Sequence, residues 1–382
     1  MLTPLGAMKL AIAEARKGFG FVSPNPPVGC VILDRDGNFL AKGYHRKFGS
    51  DHAEIDALKQ IQNEKALEGA TVYVTLEPCA HFGKTPPCAV ALAKLPVAKV
   101  VYGLKDPNLL VSGQGLEILK RAKISVQPVG ELVGDEATEL IGELEDLAEV
   151  FLLNHREKTY FVSVKIATTL DGQIAHVSGE SKWLTGDKSR EHAQYLRGIH
   201  DAVMIGAGTF RQDNPKLNVR HSRFSGKSNY AIIVNSKGDL LDQIADSELL
   251  SCHEPGRVFV AVGESSKNLR RFENKSEILN KVQIWPLPEK NGLIKLSALF
   301  EKAFDTGLSS IFVEGGARLV SNLIVEGHVH RLYQFVAPQL LGAKSGKPFT
   351  EGLDIPKFSD RIIVERPAWL PLGDDVLLTG RL

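Results

Sequence analysis

The chain has 382 residues, 43% hydrophobic and 24% charged, close to the averages of packed globular proteins, which excludes a disordered chain and points to two domains. Its 46 basic and 45 acidic side chains leave a formal charge of +1, so no overall field favours nucleic acid, an anionic membrane or a strongly charged partner. Only 4 cysteines over this length exclude a disulfide framework, and in a reducing compartment a close pair points to metal binding or catalysis.

The N-terminal MLTPLGAMKLAIAEARKG has too short an apolar run for a signal peptide, and Thr3 followed by Pro4 reads as an N-cap and a first helical residue. No segment approaches the ~20 apolar residues of a membrane span, so a cytoplasmic protein is expected. An alternating series follows. It comprises the strand VGCVIL, the turn DRDGN, the strand FLAKGYH, a helix near HAEIDALKQI and the strand TVYVTL. Beyond a loop with two cysteines come a short helix, the strand KVVYGL, a helix around GLEILKRA, the segment SVQPV, and an acidic helix from Glu131 to about Glu149. That completes one α/β domain, assigned to residues 1–150, and the boundary lies near residues 150–158. The second domain, 151–382, opens a new series of strands: YFVSVKIA, DAVMIG, YAIIVN, RVFVAV, KVQIWPL, SSIFVEG and RLYQFVAP. Its stretch HSRFSGKSN reads as an exposed loop without chemistry.

Chemistry concentrates first around EPCAHFGKTPPCA. Cys79 and Cys88 flank this loop, and His52 and Glu54 open the helix before TVYVTL. One histidine and two cysteines are ligands suited to zinc, and three protein ligands leave a fourth position for water, as in catalytic rather than structural sites. Glu54 would then take a proton from that water and return it to a departing amino group. This is the logic of the zinc deaminases, with their H-x-E and later P-C followed by a second cysteine; Pro78-Cys79 fits. Taken singly, each residue also fits a bland role, a helix-start histidine or small buried thiols, and Cys30 inside its apolar strand is read that way. The usual signature has two residues between the cysteines, whereas here there are eight, Ala80 to Pro87.

HAE and TLEPCAHFGKTPPC, preceded by PNPPVGCVI and GYH, resemble the N-terminal domain of the bifunctional riboflavin-biosynthesis deaminase-reductases, which carry this lengthened loop. The resemblance implies a cytidine-deaminase-like α/β/α sandwich holding one zinc ion, with Asn25, His45 and Lys84 contacting a ribosylaminopyrimidine phosphate.

In the second domain, three segments stand out: VKIATTLDGQIAHVSGESKWLTG, LRGIHDAVMIGAGTFRQDNPKLNVR and IFVEGGARLVSNLI. The last is strand, Gly-Gly turn and helix, an arrangement that offers backbone N–H groups to an anion but is also common turn chemistry. No G-x-G-x-x-G opens a βαβ unit, so the dinucleotide fingerprint of the doubly wound fold is absent.

All three segments resemble the C-terminal reductase of the same family, which implies a dihydrofolate-reductase-like α/β domain using NADPH. Carried over by motif, the cofactor contacts are Ala167, Trp183, Thr209, Asp213, Ser236 and the run Gly316, Ala317, Arg318, Leu319, Val320, Ser321 and Asn322. Substrate contacts are Lys165, Ser181, Arg197, Leu217, Arg220 and Glu314. Two departures from the family pattern stand out: DPNLL where Asp-Pro-Asn-Pro is usual, and His330-Arg331 where an Asp-Glu pair is usual.

The expected protein is therefore a bifunctional enzyme. It would deaminate a diamino-ribosylamino-pyrimidinone phosphate and then reduce the ribosyl group to ribityl. Its partner would be that small molecule, without nucleic acid or membrane, in a homo-oligomer. Two other readings stand beside it: a nucleobase or tRNA deaminase fused to an unrelated domain, and a zinc-stabilised binding module without turnover.

Overall fold

A computed structural model describes residues 1–80, 86–108, 112–181, 183–271 and 280–382. The chain divides into two compact units, Met1–Thr159 and Tyr160–Leu382. Residue 150, where the sequence places the boundary, falls inside the helix Glu149–Arg156 of the first unit.

The first unit is built on β1 (Gly29–Leu33), β2 (Phe39–Tyr44), β3 (Thr71–Leu76), β4 (Lys99–Leu104) and β5 (Ser125–Pro128), ordered β2-β1-β3-β4-β5. β2, β1 and β3 pair antiparallel, whereas β3, β4 and β5 run parallel. Successive strand residues face opposite sides, so each strand supplies two cores. Cys30, Ile32, Val72, Val74 and Val100 pack with Ala53, Ala57, Leu92 and Leu119 on one face. On the other, Val31, Leu33, Tyr73 and Val101 pack with Met8, Ile12, Leu140 and Leu144. Helices thus cover both faces, the expected α/β/α sandwich.

Thr3 caps the first helix as read from the sequence, its Oγ1 accepting from the Gly6 N–H at 3.1 Å. The acidic helix differs from expectation. Gly134 adopts φ +58°, a left-handed conformation that does not propagate an α-helix, and the regular helix starts only at Ala137. It ends at Leu147, and a second helix runs over Glu149–Arg156.

One glycine sets the position of the His52 helix. A Cβ on Gly43 of β2 would lie 2.4 Å from Ala57 N and 2.6 Å from Ala53 O, so the helix Ala53–Leu58 rests backbone to backbone on the strand.

The strands of the second unit are β6 (Phe161–Thr169), β7 (Gln173–His176), β8 (Ala202–Gly206), β9 (Tyr230–Val234), β10 (Val258–Gly263), β11 (Val282–Leu287) and β12 (Glu289–Lys290). They continue with β13 (Leu293–Ile294), β14 (Ser310–Val313), β15 (Arg331–Ala337), β16 (Gly346–Pro348), β17 (Glu365–Leu372) and β18 (Asp375–Arg381). Nine form one sheet, β11-β10-β9-β8-β14-β6-β15-β18-β17, parallel from β11 to β15 and closed at one edge by the antiparallel β18-β17 hairpin. The parallel strands end together, so the segments after β6, β8, β9 and β14 share one rim of the sheet, where ligands of parallel α/β sheets bind. The β17-β18 hairpin escapes the sequence reading, its edge strand β17 because ERPAWLPL carries two prolines, which only an edge strand tolerates.

HSRFSGKSN is exposed at Ser222, Arg223, Ser225 and Gly226, but it also anchors the fold: Phe224 is only 1% exposed and packs so tightly on Gly198 that a Cβ there would sit 2.1 Å from its ring. Lys227 Nζ reaches the Gly198 carbonyl at 2.5 Å, ending the helix Asp187–Ile199 with a cation where its dipole is negative. His330 lies at the amino-terminal start of β15, its Nδ1 accepting from the Val162 N–H at 3.1 Å and its ring stacked on Phe161. That departure therefore bears on packing at the sheet end opposite the ligand rim. Among the described residues, no helix is long and apolar enough to cross a membrane.

Gly43→Ala pushes a methyl into the backbone of the His52 helix. It should lower the stability of the first unit by about 1–3 kcal/mol, measured by denaturant unfolding.

Candidate active sites

In the first unit, three elements present the predicted ligands. His52 is the extended N-cap residue of the helix Ala53–Leu58, Cys79 follows the end of β3, and Cys88 is the first residue of the helix Cys88–Leu92. His52 Nδ1 lies 3.4 Å from Cys79 Sγ and 3.4 Å from Cys88 Sγ, and all three donor atoms fall within 4.8 Å of one another. A tetrahedral zinc ion with ordinary bond lengths sets its nitrogen and sulfur donors about 3.6 Å apart, so this set fits zinc in both chemistry and spacing. Cys88 N–H also donates to Cys79 Sγ at 3.3 Å.

Hydrogen bonding from Cys88, followed by that from His52, drives the Cys79 thiol down to about 4 despite its burial. Cys88 moves the other way, raised by the sulfur it faces and by burial. Glu54 is 3% exposed, and burial, reinforced by the Cys79 charge, pushes its carboxyl up to about 7. A carboxyl poised there can both accept and release a proton near neutral pH.

A cleft of about 250 Å³ opens onto this set, lined also by Asn25, His45, Glu77, Asp106, Asn108, Phe151 and His155. His45 Nδ1 faces the Asp51 carbonyl at 2.9 Å and therefore carries the proton, so Nε2 accepts from Asn25 Nδ2 at 3.1 Å. Burial holds the His45 pKa below its usual value, in keeping with this neutral form. The pair leaves Asn25 with a fixed amide orientation. Lys84 lies outside the described residues.

Sequence reasoning missed three supports. Glu77 is buried, and its carboxylate accepts from the N–H groups of Gly113 at 2.7 Å and Asp106 at 3.4 Å, tying the DPN segment to the strand that ends at the cysteine. A Cβ on Gly115 would sit 1.9 Å from Pro78 O, so the helix Gln114–Arg121 abuts the backbone beside Cys79. Asp106 and Asn108 line the cleft, which places the DPN of the divergent DPNLL within the site, whereas Leu109 and Leu110 lie outside the described residues. The signal for Glu77 was present, since an acid between an apolar strand and Pro-Cys needs a partner when buried.

In the second unit, the substrate candidates converge on an ion pair. Arg197 of the helix Asp187–Ile199 donates through Nη2 to Glu314 Oε2 at 2.9 Å and through Nε to Oε1, with both side chains largely buried. Glu314 directly follows β14, its N–H bound to Met204 O. Arg197 Nη1 also holds the Asn218 carbonyl at 3.2 Å, and Arg220 Nη1 donates to Asn218 Oδ1 at 3.0 Å. Burial alone would raise the Glu314 pKa, but the Arg197 charge and hydrogen bonds, with Lys165 and Arg220, hold it below the usual value. Lys165 is lowered by burial and by Arg197, against the pull of Glu314. Burial first and then Arg197 also lower Arg220. Lys165, Arg197 and Arg220 against Glu314 leave two uncompensated positive charges.

Leu217 has its side chain buried in the core with Phe210 and Val203, and its backbone is left-handed at φ +50°. Ser181 is partly buried on the loop after β7.

The cofactor candidates divide. Gly316 is the N-cap of the helix Ala317–Val325 without a side-chain cap, and a Cβ on it would lie 3.5 Å from Thr209 Oγ1, so Thr209 and this helix start face each other. Ser321 is buried with an Oγ that lacks a partner among the described residues, and Val320 and Ala317 are core. Leu319 and Asn322 are partly buried, while Arg318 is exposed, 3.7 Å from Glu351. Ser236 follows β9, its Oγ accepting from Ile294 N–H, and Ala167 packs beside Phe335. Asp213 is exposed at the end of the helix Ala207–Asp213. Trp183 is 71% exposed, with the Arg190 guanidinium 4.6 Å from its ring, and so is no core aromatic.

Two family models match. The one described as the cytidine and deoxycytidylate deaminase zinc-binding region covers residues 4–104, and the one described as the RibD C-terminal domain covers residues 160–378. The chain is 34% identical to riboflavin biosynthesis protein RibD of Actinobacillus pleuropneumoniae, over 99% of this chain and 95% of that protein. With the Aquifex aeolicus RibD it shares 36% identity over 94% and 91%. Among solved structures, Acinetobacter baumannii RibD superposes with a TM-score of 0.80 at 30% identity, covering 99% of both chains. A Thermotoga maritima diaminohydroxyphosphoribosylaminopyrimidine deaminase/5-amino-6-(5-phosphoribosylamino)uracil reductase gives 0.79 at 30% identity, covering 99% and 98%.

Arg197→Leu strands Glu314 in a buried position and should destabilise the second unit by about 3–5 kcal/mol at neutral pH, measured by chemical denaturation. Because the folded pKa of Glu314 is depressed, its contribution is present above the unfolded carboxylate value and lost as pH falls through the folded one. Acidification should therefore narrow the gap between wild type and variant.

Proposed function

The chain belongs to the RibD family of riboflavin biosynthesis, bifunctional enzymes with a zinc deaminase and an NADPH-dependent reductase, and on that premise we propose how its residues divide the work. Deamination is assigned to the unit Met1–Thr159 and reduction to Tyr160–Leu382, whose fold is dihydrofolate-reductase-like. The observation that carries the assignment is the meeting of His52 Nδ1 with two sulfurs beside a buried glutamate at the floor of one cleft.

The proposed first substrate is a diamino-ribosylamino-pyrimidinone 5'-phosphate. His52, Cys79 and Cys88 hold zinc, which when bound polarises a water and lowers its pKa. Glu54 takes a proton from the attacking water and passes it to the amino group, which leaves as ammonia while the carbon gains oxygen. Asn25, its amide oriented by His45, is positioned to hydrogen-bond the pyrimidine, and Lys84 is the cation assigned to its phosphate.

In the reductase, the two positive charges in excess around Glu314 suit the phosphate of the deaminated product. Arg197 and Arg220 are the guanidinium groups able to bind it bidentately, with Lys165 between them and the hydride acceptor. Ser181, Leu217 and Glu314 complete that pocket, Leu217 through its backbone. NADPH supplies the hydride. The start of the helix Ala317–Val325, from Gly316 to Asn322, offers backbone N–H groups to its phosphates, with Thr209 opposite. Ala167, Trp183, Asp213 and Ser236 are assigned to the rest of the cofactor.

We place the protein in the cytoplasm, where its four free cysteines stay reduced, and assign it no nucleic-acid partner. A homo-oligomer fits the edge strand β17, where Trp369 is 64% exposed and Phe358 and Ile363 are also exposed nearby in sequence.

Glu54→Gln should cut ammonia release by about 10²–10⁴-fold with zinc content unchanged, and NADPH oxidation on supplied deaminated product should persist. Undiminished ammonia release would remove Glu54 from the reaction; a wild type that releases none would favour a binding module instead. Trp369→Glu should shift the protein to monomer in analytical ultracentrifugation.

A further inference from the structure

The helix Glu149–Arg156 lies in the interval between the two matched segments, residues 4–104 and 160–378, yet it belongs to the first unit and walls the deaminase cleft. We infer that this helix recognises the substrate of the deaminase site, Phe151 lying against the pyrimidine and His155 engaging the phosphate of the ribosyl arm. The inference rests on the deaminase reading above.

Phe151 and His155 are four residues apart and so share one helix face, with ring centroids 4.1 Å apart. His155 Nδ1 stands 3.0 Å from the Phe151 carbonyl, which can only accept, so Nδ1 carries a proton and the ring orientation is set. Nε2 is then the nitrogen presented to a ligand, and it donates to a phosphate oxygen in the doubly protonated, cationic ring. Among the described residues, the other imidazoles lining the cleft are engaged: His52 faces the two sulfurs, and His45 uses one nitrogen on the Asp51 carbonyl and the other on Asn25.

Charge points the same way. Among the described lining residues, the ionisable oxygens belong to Glu54, Glu77 and Asp106, so a phosphate is disfavoured beside them relative to the exposed His155. Apart from the imidazoles, Phe151 is the one aromatic ring among the described lining residues, and a flat pyrimidine needs such a face. The wall is also held in place, because Leu152 is buried and Asn154 Nδ2 donates to Thr159 O at 2.6 Å across the helix end. A substrate-binding surface that follows the zinc motif by more than 60 residues explains why the motif alone does not define the site.

The test uses the full chain with phosphorylated diamino-ribosylamino-pyrimidinone and its dephosphorylated counterpart. Phe151→Ala should raise the deaminase KM about ten-fold for both substrates, the scale of one lost base–aromatic stack. His155→Ala should raise KM about ten-fold for the phosphorylated substrate alone, and His155→Lys should restore it, since a cation but not a packing role is conserved. Zinc content and NADPH oxidation on deaminated product, unchanged in each variant, show that both units are folded. Unchanged KM values in an active background would overturn the inference while leaving the deaminase reading intact, and equal losses with both substrates in His155→Ala would overturn the phosphate assignment. A wild type without ammonia release would overturn both.

Discussion

His52 has to face two sulfurs at once, and the first unit is arranged around keeping it there. Its Nδ1 sits at 3.4 Å from each sulfur only because a helix start, a strand end and a second helix start are brought to one point. Gly43 lets the first of these helices rest on β2, and Gly115 lets another helix press on the carbonyl beside Cys79. Two glycines without side chains therefore set the ligand geometry. Glu54 is carried along by the same helix, which buries it and tunes it toward neutrality.

The second unit solves a related problem with opposite charge. Beside its ligand rim Glu314 is the largely buried counter-charge that makes the burial of Arg197 tolerable. The segment HSRFSGKSN contributes from behind, since Phe224 on Gly198 and Lys227 on the helix C-terminus fix the helix that carries Arg197. In both units, the candidate ligand-binding groups are held by residues with no chemistry of their own.

Much of this was legible beforehand. The apolar segments VGCVIL, TVYVTL and KVVYGL marked strands, Thr3-Pro4 marked a helix start, and H-x-E with P-C marked zinc chemistry. These are local signals, decided by periodicity, capping and ligand type. Failures came where local pattern and tertiary context disagreed. HSRFSGKSN is polar in composition and partly exposed, but its one phenylalanine is buried and its lysine caps a helix end. The acidic stretch after Glu131 has helical composition, interrupted by a left-handed glycine whose φ no composition reveals.

What the residues by themselves determined was the chemistry: a soft three-ligand set, a nearby carboxylate, and a Gly-Gly helix start, because donor type and spacing are properties of side chains and short segments. Tertiary structure alone decided which groups share a cleft. It brought Phe151 and His155 to the deaminase cleft from beyond the residue-150 boundary, tied Glu77 to the DPN segment, and paired Arg197 with Glu314 across 117 positions of chain. Such contacts depend on sheet order and on backbone close approach at glycines, and neither is written in any one stretch of sequence.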